Sequence, residues 1–386
     1  MTAARSDAVN VIVLGAGRVG AAMARDLASS SRFETTVVDV SGEALDRLQD
    51  VPRMETARAD LSDASVLRTL VEGHDLVVSA VPGPMGFRTV WTVLEAGRNV
   101  VDISFFDEDP FELDGLAREK GCTAVVDCGV VPGFSNILVG RYEQELDPLR
   151  SVRCLCGGVP TVRYWPYEYR ATFSPIDVIA EYTRPARLRR GGRNLTLPAL
   201  SEVEPAEFEG VGTLEAFNTD GLRTLLRTVD CEDMVDKTVR YPGHADKMRL
   251  LRETGYFSEE PVRIGDDEVR PIDLTAELLF EEWQFREGEE DLTVMRVELE
   301  GGSEGREVCH TWSLVDRYDR EQGISSMARA TGYTCTAAVH LLADGRYPTP
   351  GMSPPEFLGR DADCFEFIVG YLRERGVDWR HDVVDA

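Results

Sequence analysis

Residues 11–20 read VIVLGAGRVG, and this short stretch decides the fold. An apolar run typical of a buried strand leads into Gly15, Gly17 and Gly20, and a run of helical composition follows. In such a strand–turn–helix unit the first glycine permits the tight turn, the second lets the backbone approach a pyrophosphate, and the third lets helix and strand pack closely. The stretch therefore predicts a phosphate cradle at the start of a helix.

Strand and helix patterns alternate on either side of this cradle through the first 130 residues. The apolar runs that predict buried strands after the first are FETTVVDV (33–40), HDLVVSAVP (74–82), NVVDIS (99–104) and CTAVVDCG (122–129). Continuous apolar strands separated by helices are typical of a parallel sheet that is covered on both faces. The fold class predicted for this part is α/β, with a Rossmann-type doubly wound parallel sheet.

The second predicted strand ends in Asp39, which lies 19 residues beyond Gly20. This is close to the roughly 20 residues expected for the acid that binds the ribose of a bound dinucleotide. A carboxylate there would repel a 2′-phosphate, and the next residues, Val40 to Gly42, bring no arginine to accept one. The cofactor predicted from these residues is therefore NAD rather than NADP.

Topology predicts the remaining cofactor contacts, because ligands of such sheets bind at the carboxyl ends of the strands. These contacts come from the glycine turn and from the ends of the third and fourth strands, and they are Arg18, Val19, Asp60, Leu61, Ala80, Val81 and Pro82.

The pattern changes near residue 150, where longer strands with alternating faces predict an α+β domain with a mainly antiparallel sheet. YEYRATFS (167–174) and EVRPIDLTAELLFEEW (268–283) are included among these strands, and EGGSEGRE (300–307) predicts a hairpin. Residues 325–345 and 362–376 predict two helices, joined by a proline-rich loop at 347–357. We therefore expect a dinucleotide-binding domain in residues 1–130, completed by helices in 325–386, and a substrate-binding and dimerisation domain in residues 131–324.

Composition narrows the classes of partner. The chain has 68 Asp and Glu against 42 Lys and Arg, and its formal net charge is −26. Nucleic acids and anionic membranes require a basic surface, so neither is expected as a partner. No apolar stretch approaches the ~18 residues of a membrane span and no signal peptide is recognisable, so a cytoplasmic protein is expected. The cysteines are scattered without any C-x-x-C, so no metal site is expected.

Several segments, in this order along the chain, resemble the saccharopine dehydrogenase family. Beyond the glycine cradle they are SAVPGPMGFRTVWTVLEAGRNVVDIS (79–104), VVDCGVVPGFSNIL (125–138), EAFNTDGLRTLLRT (215–228), KTVRYPGHADKM (237–248) and SSMARATGYTC (325–335). The resemblance covers residues from about 10 to about 360 and is greatest to the L-lysine 6-dehydrogenase branch. It implies NAD-dependent oxidation of the ε-amine carbon of L-lysine to 2-aminoadipate 6-semialdehyde, which cyclises to piperideine-6-carboxylate. It also implies a homodimer.

Two alternative functions stay open. Other members of the family act on saccharopine, usually have D-P-G where this chain has Val131-Pro132-Gly133, and often prefer NADP. A saccharopine site needs further arginines for further carboxylates, and YTRPARLRRGGR offers Arg184, Arg187, Arg189 and Arg190, although a solvated hairpin turn is the favoured interpretation of that run. The second alternative is a non-catalytic NAD-binding regulator.

The segment KTVRYPGHADKM contains the predicted catalytic residues. It indicates a strand, a Pro-Gly turn and a helix that begins at His244. The positive end of the helix dipole disfavours imidazolium, so His244 is predicted to be a neutral base or proton relay, with Tyr241 as its hydrogen-bond partner. An amine donor must lose a proton before hydride can leave the adjacent carbon. The alternative is that His244 only caps its own helix.

The predicted substrate-binding residues follow from the carboxylate and ammonium groups of an amino acid. Arg240 and Arg223 are candidates for gripping the carboxylate, because a guanidinium binds it in a bidentate manner. Asp220 is a candidate for the α-ammonium group, and Ser135 and Asn136 are expected to line the same cleft. For the charged residues, structural ion pairs are the alternative.

Overall fold

The computed structural model describes residues 8–171, 175–286 and 288–385, and it consists of two compact units. The first unit comprises the chain up to Gly140 together with Ala328–Gly376. The second comprises Arg141–Met327 together with the chain from Val377 onward. The boundaries differ from the expectation at both ends, since residues 131–140 belong to the first unit and the C-terminal strand belongs to the second.

The first stretch of the chain contains alternating strands and helices. They are β1 (Val9–Leu14), α1 (Arg18–Ser29), β2 (Phe33–Asp39), α2 (Gly42–Asp46), β3 (Met54–Arg58), α3 (Ala64–Glu72), β4 (Leu76–Ser79), α4 (Gly83–Glu95), β5 (Asn99–Asp102), a 3-10 helix (Pro110–Leu113), α5 (Asp114–Lys120), β6 (Thr123–Val125) and α6 (Phe134–Glu145).

The middle of the chain is richer in strands. Its elements are β7 (Leu149–Pro160), α7 (Pro175–Thr183), β8 (Ala186–Arg190), β9 (Arg193–Leu197), β10 (Glu204–Phe208), β11 (Gly212–Asn218), α8 (Leu225–Thr228), β12 (Asp233–Arg240), α9 (His244–Glu253), β13 (Val262–Ile264), β14 (Asp267–Val269), α10 (Pro271–Trp283), β15 (Asp291–Ser303) and β16 (Arg306–Arg317). The last stretch contains α11 (Ser326–Ala343), β17 (Gly351–Ser353), α12 (Pro355–Arg360), α13 (Ala362–Glu374) and β18 (Arg380–Asp385).

The sheet of the first unit is parallel throughout, and its strand order is β17-β6-β5-β4-β1-β2-β3. The six strands from β6 to β3 in this order have the arrangement of a dinucleotide-binding sheet, in which the strand order reverses between β1 and β4. The predicted doubly wound sheet is therefore confirmed. The proline-rich segment 347–357 was expected to be a loop, but it contributes β17, a seventh strand that pairs with β6.

A buried polar cluster joins the C-terminal helices to the first unit, and Asp26 of α1 is at its centre. Its Oδ2 accepts hydrogen bonds from the hydroxyl groups of Thr336 in α11 and of Tyr371 in α13, the latter at 2.7 Å. Its Oδ1 accepts from Arg375 Nε at 2.6 Å, and the Arg375 guanidinium lies over the Tyr371 ring. We refer to these four residues as the Asp26 clamp. It explains how helices some 300 residues away in sequence complete the first unit.

The second unit is built on a nine-stranded sheet with the main order β10-β11-β12-β7-β15-β16-β18, to which β8 and β9 add through β12. The β7–β12 pair is parallel and the other pairs are antiparallel. The predicted mainly antiparallel sheet is confirmed, as is the β15–β16 hairpin.

Two strand predictions in this unit are wrong. EVRPIDLTAELLFEEW forms α10 over most of its length, because Pro271 suits the first helical position and Ile272, Ala276, Leu279 and Trp283 bury one helical face. Residues 167–171 form no strand, and residues 172–174 of the same prediction lie outside the described residues. In the part of the chain that the structure describes, no helix combines the length and apolarity that crossing a membrane requires.

Candidate functional site

The three glycines of the cradle occupy different surroundings. Gly15 has φ +108°, and a Cβ added there would lie 2.6 Å from the Ala80 carbonyl oxygen. A Cβ added at Gly20 would lie 2.1 Å from the carbonyl oxygen of Gly15, whereas one added at Gly17 would meet no atom within 4 Å. Gly17 also precedes the first turn of α1, to which the predicted contacts Arg18 and Val19 belong. The open space in front of Gly17 therefore fits a phosphate bound to the helix N-terminus.

Asp39 is held at the carboxyl end of β2 beside this cradle. Its Oδ2 accepts a hydrogen bond from the Ala16 N–H group at 2.6 Å, and its Oδ1 accepts from the Ser41 N–H group at 2.8 Å. Arg58 of β3 pairs in register with Asp39 and donates from Nε to the Val40 carbonyl oxygen at 2.9 Å. The sequence interpretation overlooked Arg58, because it considered only the residues that follow Asp39 along the chain.

The other predicted cofactor contacts lie at the same edge of the sheet. Leu61 lines a small open pocket together with Leu67, Pro84 and Met85. Hydrogen bonds from the Ser62 side chain and backbone keep the pKa of the exposed Asp60 below its usual value. Ala80, Val81 and Pro82 connect β4 to α4, and the Ala80 N–H group donates to Leu14 of β1 at 2.9 Å. These residues lie at the carboxyl edge of the parallel sheet, which is where sheets of this strand order bind dinucleotides.

In the second unit, His244 begins α9 as predicted and is buried, with 1% of its surface exposed. Its Nδ1 lies 3.0 Å from the Tyr167 carbonyl oxygen, and its Nε2 lies 2.9 Å from the Tyr182 hydroxyl group. A carbonyl can only accept, so Nδ1 carries a proton, and in a neutral ring Nε2 then accepts from Tyr182. The hydrogen bonds therefore select one tautomer of the neutral ring.

The sequence predicted a neutral His244 because of the helix dipole, but burial is the main cause in the structure. Burial, followed by the positive charge of Arg240, lowers the pKa of His244 to about 3. The predicted partner was also wrong, since Tyr182 bonds to His244 while the Tyr241 hydroxyl group donates to the Pro160 carbonyl oxygen at 2.8 Å. Tyr182 was missed because it is 62 residues away in sequence.

Arg240 is almost completely buried beside His244. It donates to Glu181 at 2.7 Å and to the Val239 carbonyl oxygen at 3.0 Å, and its guanidinium lies 4.7 Å from the centroid of the Tyr169 ring. Burial raises the pKa of Glu181, and the neighbouring Arg240 acts in the opposite direction. We call Glu181, Arg240, Tyr182 and His244 the buried array. In it Arg240 binds a carboxylate of this chain.

The other predicted substrate residues lie at two further places. Asp220 is buried and accepts a bidentate pair from Arg187, at 2.8 Å from Nε and 2.7 Å from Nη2, while Arg187 is half exposed. Arg223 is buried in the same loop and has a left-handed backbone with φ +49°. Ser135 and Asn136 are buried in the first unit, where Asn136 donates to Glu356 at 3.2 Å.

The arginine-rich run forms the β8–β9 hairpin, as the favoured interpretation held. Arg187 binds Asp220, Arg190 binds Glu202, and Arg189 donates to the Val229 carbonyl oxygen at 2.9 Å. These three arginines are therefore engaged by groups of the chain itself. Within the described residues, no group of three or more His, Cys, Asp or Glu side chains is arranged to hold a metal ion.

The neutral state of His244 can be measured directly. We expect the ring nitrogen shifts of His244 to stay constant between about pH 5 and pH 9 in the folded protein, because its pKa is lowered far below 6.5. Nitrogen-15 NMR of labelled protein would report this, with the urea-unfolded chain as the control that titrates near the ordinary value. A midpoint between pH 6 and 7 for His244 in the folded protein would contradict the assignment.

Two family models match this chain. The model described as the saccharopine dehydrogenase NADP binding domain matches residues 11–125, and the model described as the saccharopine dehydrogenase C-terminal domain matches residues 129–377.

Similar proteins and structures agree with these matches. Saccharopine dehydrogenase (NADP(+), L-glutamate-forming) from Schizosaccharomyces pombe is 20% identical over 454 residues, covering 97% of this chain and 99% of that protein. The mitochondrial alpha-aminoadipic semialdehyde synthase of Rattus norvegicus is 22% identical over 276 residues, covering 68% of this chain and 30% of that protein. The apo histidine-tagged saccharopine dehydrogenase (L-Glu forming) from Saccharomyces cerevisiae has a TM-score of 0.79 at 20% identity, covering 97% of this chain and 100% of that one. This last match confirms the fold.

Proposed function

Because this chain belongs to the saccharopine dehydrogenase family, we propose that it is an oxidoreductase that acts on the C–N bond of saccharopine or a close analogue, with a nicotinamide dinucleotide. The observation that carries the proposal is the match to saccharopine dehydrogenases over nearly the whole chain, together with the glycine cradle. It replaces the lysine interpretation as the first candidate, because the similar proteins are named for saccharopine.

The reaction proposed is oxidation of a secondary amine that joins a lysine side chain to glutamate. When bound, the dinucleotide would accept the hydride from the ε-carbon of the lysine side chain, so that the C=N bond forms on the lysine side of the nitrogen. Water then adds to the resulting C=N bond. Cleavage of the C–N bond in this adduct gives glutamate and 2-aminoadipate 6-semialdehyde. The amine must be neutral for the hydride to leave, so one proton is released to solvent before oxidation.

The contacts in the second unit support specific roles for its charged residues. Arg187 is half exposed and its guanidinium is oriented by the buried Asp220, which suits it to bind a substrate carboxylate. Arg240 and His244 are buried within the buried array, so we propose that they position the surrounding segments. His244 is a poor base because its pKa is lowered to about 3. A positioning role therefore fits it better than the predicted proton transfer.

Oxidation of the ε-amine of L-lysine is the second candidate, and one observation favours it. Other arginines that a substrate with several carboxylates would need are bound to acidic residues of the chain itself, as in Arg190–Glu202 and Arg240–Glu181. Lysine carries a single carboxylate and needs fewer cations.

Measuring the absorbance of the reduced dinucleotide as it forms would distinguish the candidates. Saccharopine, L-lysine and L-ornithine would each be offered with NAD and with NADP at alkaline pH. Turnover of saccharopine with no turnover of lysine supports the first candidate, and the reverse supports the second. Dinucleotide binding without turnover of any amine would contradict both and favour a non-catalytic regulator.

We propose NAD as the preferred dinucleotide, although the matching model is named for NADP and so are several similar proteins. The support is Asp39, whose carboxylate is fixed by two backbone N–H groups where a 2′-phosphate would add negative charge. Arg58 is the opposing group, because its side chain lies beside the loop that follows Asp39. The balance between the negative charge of Asp39 and the positive charge of Arg58 sets the selectivity between NAD and NADP.

Selectivity gives a second prediction. We expect Asp39→Asn to raise the affinity for NADP relative to NAD by about tenfold, because it removes a charge beside the 2′-phosphate. Calorimetric titration of both dinucleotides would measure the ratio. Asp75→Asn is the matched control, since Asp75 is exposed before the first residue of β4, at the amino end of the sheet, and should leave the ratio unchanged. If the native protein already prefers NADP and Arg58→Ala abolishes that preference, the NAD proposal is wrong.

A homodimer is proposed as the assembly, formed through the sheet of the second unit. The edge strand β18 is exposed along its length, and Val383 and Val384 are 52% and 58% exposed. Sedimentation velocity would measure the mass, and a monomer at all concentrations would contradict this assembly.

A further inference from the structure

Asp102 is the last residue of β5, and its side chain is fully buried at the carboxyl end of the parallel sheet. It pairs in register with Ser79 of β4, and Ser79 is followed by the turn formed by Ala80, Val81 and Pro82. Its carboxylate oxygens each lie 2.8 Å from the Ser104 hydroxyl group, and Oδ2 accepts from the Ser104 N–H group at 3.1 Å. Asp102 thus lies beneath the edge that the dinucleotide would occupy.

No cation pairs with this carboxylate in the described parts of the chain. The groups that face it are Ser79 from β4, Ser104 from its own strand end, Asp127 and Cys128 beyond β6, and Cys335 from α11. Burial raises the pKa of Asp102 to about 7, the hydrogen bond from the Ser104 hydroxyl group opposes this, and the like charge of Asp127 raises it further. A buried carboxylate without a counter-charge is unfavourable, and such groups concentrate at functional sites.

The position of the missing counter-charge follows from the strand order. Asp39 and the glycine cradle place the adenosine half of a dinucleotide over β2 and the phosphates over β1. The other half must then extend over the carboxyl ends of β4 and β5, where Asp102 lies. The nicotinamide ring carries a positive charge when oxidised and none when reduced.

We propose that Asp102 is the counter-charge of the oxidised nicotinamide ring, so that its ionised form favours the oxidised dinucleotide over the reduced one. The inference rests on dinucleotide binding and is independent of the amine substrate. By linkage, the oxidised dinucleotide binds the ionised carboxylate preferentially and releases a proton from Asp102. The reduced dinucleotide has no such preference, and it carries the same phosphates, so those groups cancel in the ratio of the two affinities.

Equilibrium binding of both redox forms tests this, with NAD⁺ and NADH or with the corresponding NADP pair, whichever binds more tightly. In the native protein we expect the ratio of the two dissociation constants to change by about tenfold in favour of the oxidised form between about pH 5.5 and pH 8.5. In Asp102→Asn the ratio should be constant, and binding of the oxidised form at pH 8.5 should be about tenfold weaker than in the native protein. Asp63→Asn, which alters an exposed carboxylate at the start of α3, should leave the native ratio intact.

Different results would contradict the role of Asp102 and the use of a dinucleotide. A ratio that does not change with pH in the native protein, or one that changes equally in Asp102→Asn, would overturn the role of Asp102. If Asp102→Asn fails to fold, the native ratio still decides. Carbon-13 NMR of the native carboxylates adds a second readout, since the oxidised form should shift the Asp102 midpoint to lower pH and the reduced form should not. Absence of binding by both forms would contradict dinucleotide use itself.

Discussion

Replacing Gly17 by alanine is expected to weaken dinucleotide binding by roughly ten- to a hundredfold while leaving the unfolding temperature almost unchanged. The backbone at Gly17 has φ −63°, which any residue adopts, and an added Cβ would point into open space. That space is where the phosphates would approach the helix N-terminus, so the methyl group would obstruct the ligand alone. Calorimetry with the dinucleotide and a thermal scan without it would measure the two effects.

Gly20→Ala is the matched control, because the same methyl group meets a different environment there. Its Cβ would lie 2.1 Å from the Gly15 carbonyl oxygen, so the backbone of helix or strand must shift. We expect destabilisation of about 1–3 kcal/mol even without ligand. If Gly17→Ala were equally destabilising, or if it bound the dinucleotide as the native protein does, the phosphate cradle would be misplaced.

Asp26→Ala is expected to destabilise the first unit by about 3–5 kcal/mol, because it leaves Arg375 without its carboxylate in a largely buried place. The hydroxyl groups of Thr336 and Tyr371 lose the same acceptor. Since the Asp26 clamp fixes α11 and α13, urea unfolding should show an earlier transition for the first unit. A chain with two compact units does not have to unfold in one step, so each unit has to be followed with its own probe.

Asp344→Ala is the control for the Asp26 clamp. Asp344 forms an ion pair with Arg32 at 3.0 Å, but both side chains are more than a third exposed. Exposed pairs contribute little, and the expected change is below about 1 kcal/mol. Comparable destabilisation by both substitutions would mean that the Asp26 clamp contributes no more than a surface ion pair.

The centre of the first sheet was predictable from sequence because β1, β4, β5 and β6 are mostly buried and read as continuous apolar runs. β17 escaped this test, since a three-residue strand among prolines has no periodicity and forms only because β6 offers an unpaired edge. α10 was misread because its polar and apolar residues were matched to an alternating strand, although Pro271 and the buried positions one helical turn apart indicate a helix.

The site shows the same division between local and distant information. The cradle and Asp39 form within one β-α-β unit, so spacing alone located them. The position of His244 at a helix start was also local. Its partners Tyr167 and Tyr182 are 77 and 62 residues away, and no spacing rule connects them. Arg58 and Arg187 act through strand pairing and an ion pair, which only the folded chain reveals.

The interleaving of the two units has a consequence for biosynthesis. The first unit needs α11, β17 and α13 from residues 328–376, and the second needs β18 from residues beyond 376. While the ribosome is still elongating, the early parallel strands already exist but lack their final strand and the Asp26 clamp. The β6 edge of the nascent sheet therefore stays unpaired until about 350 residues have emerged from the ribosome. Until then the unpaired N–H and C=O groups of the β6 edge are open to pairing with other strands.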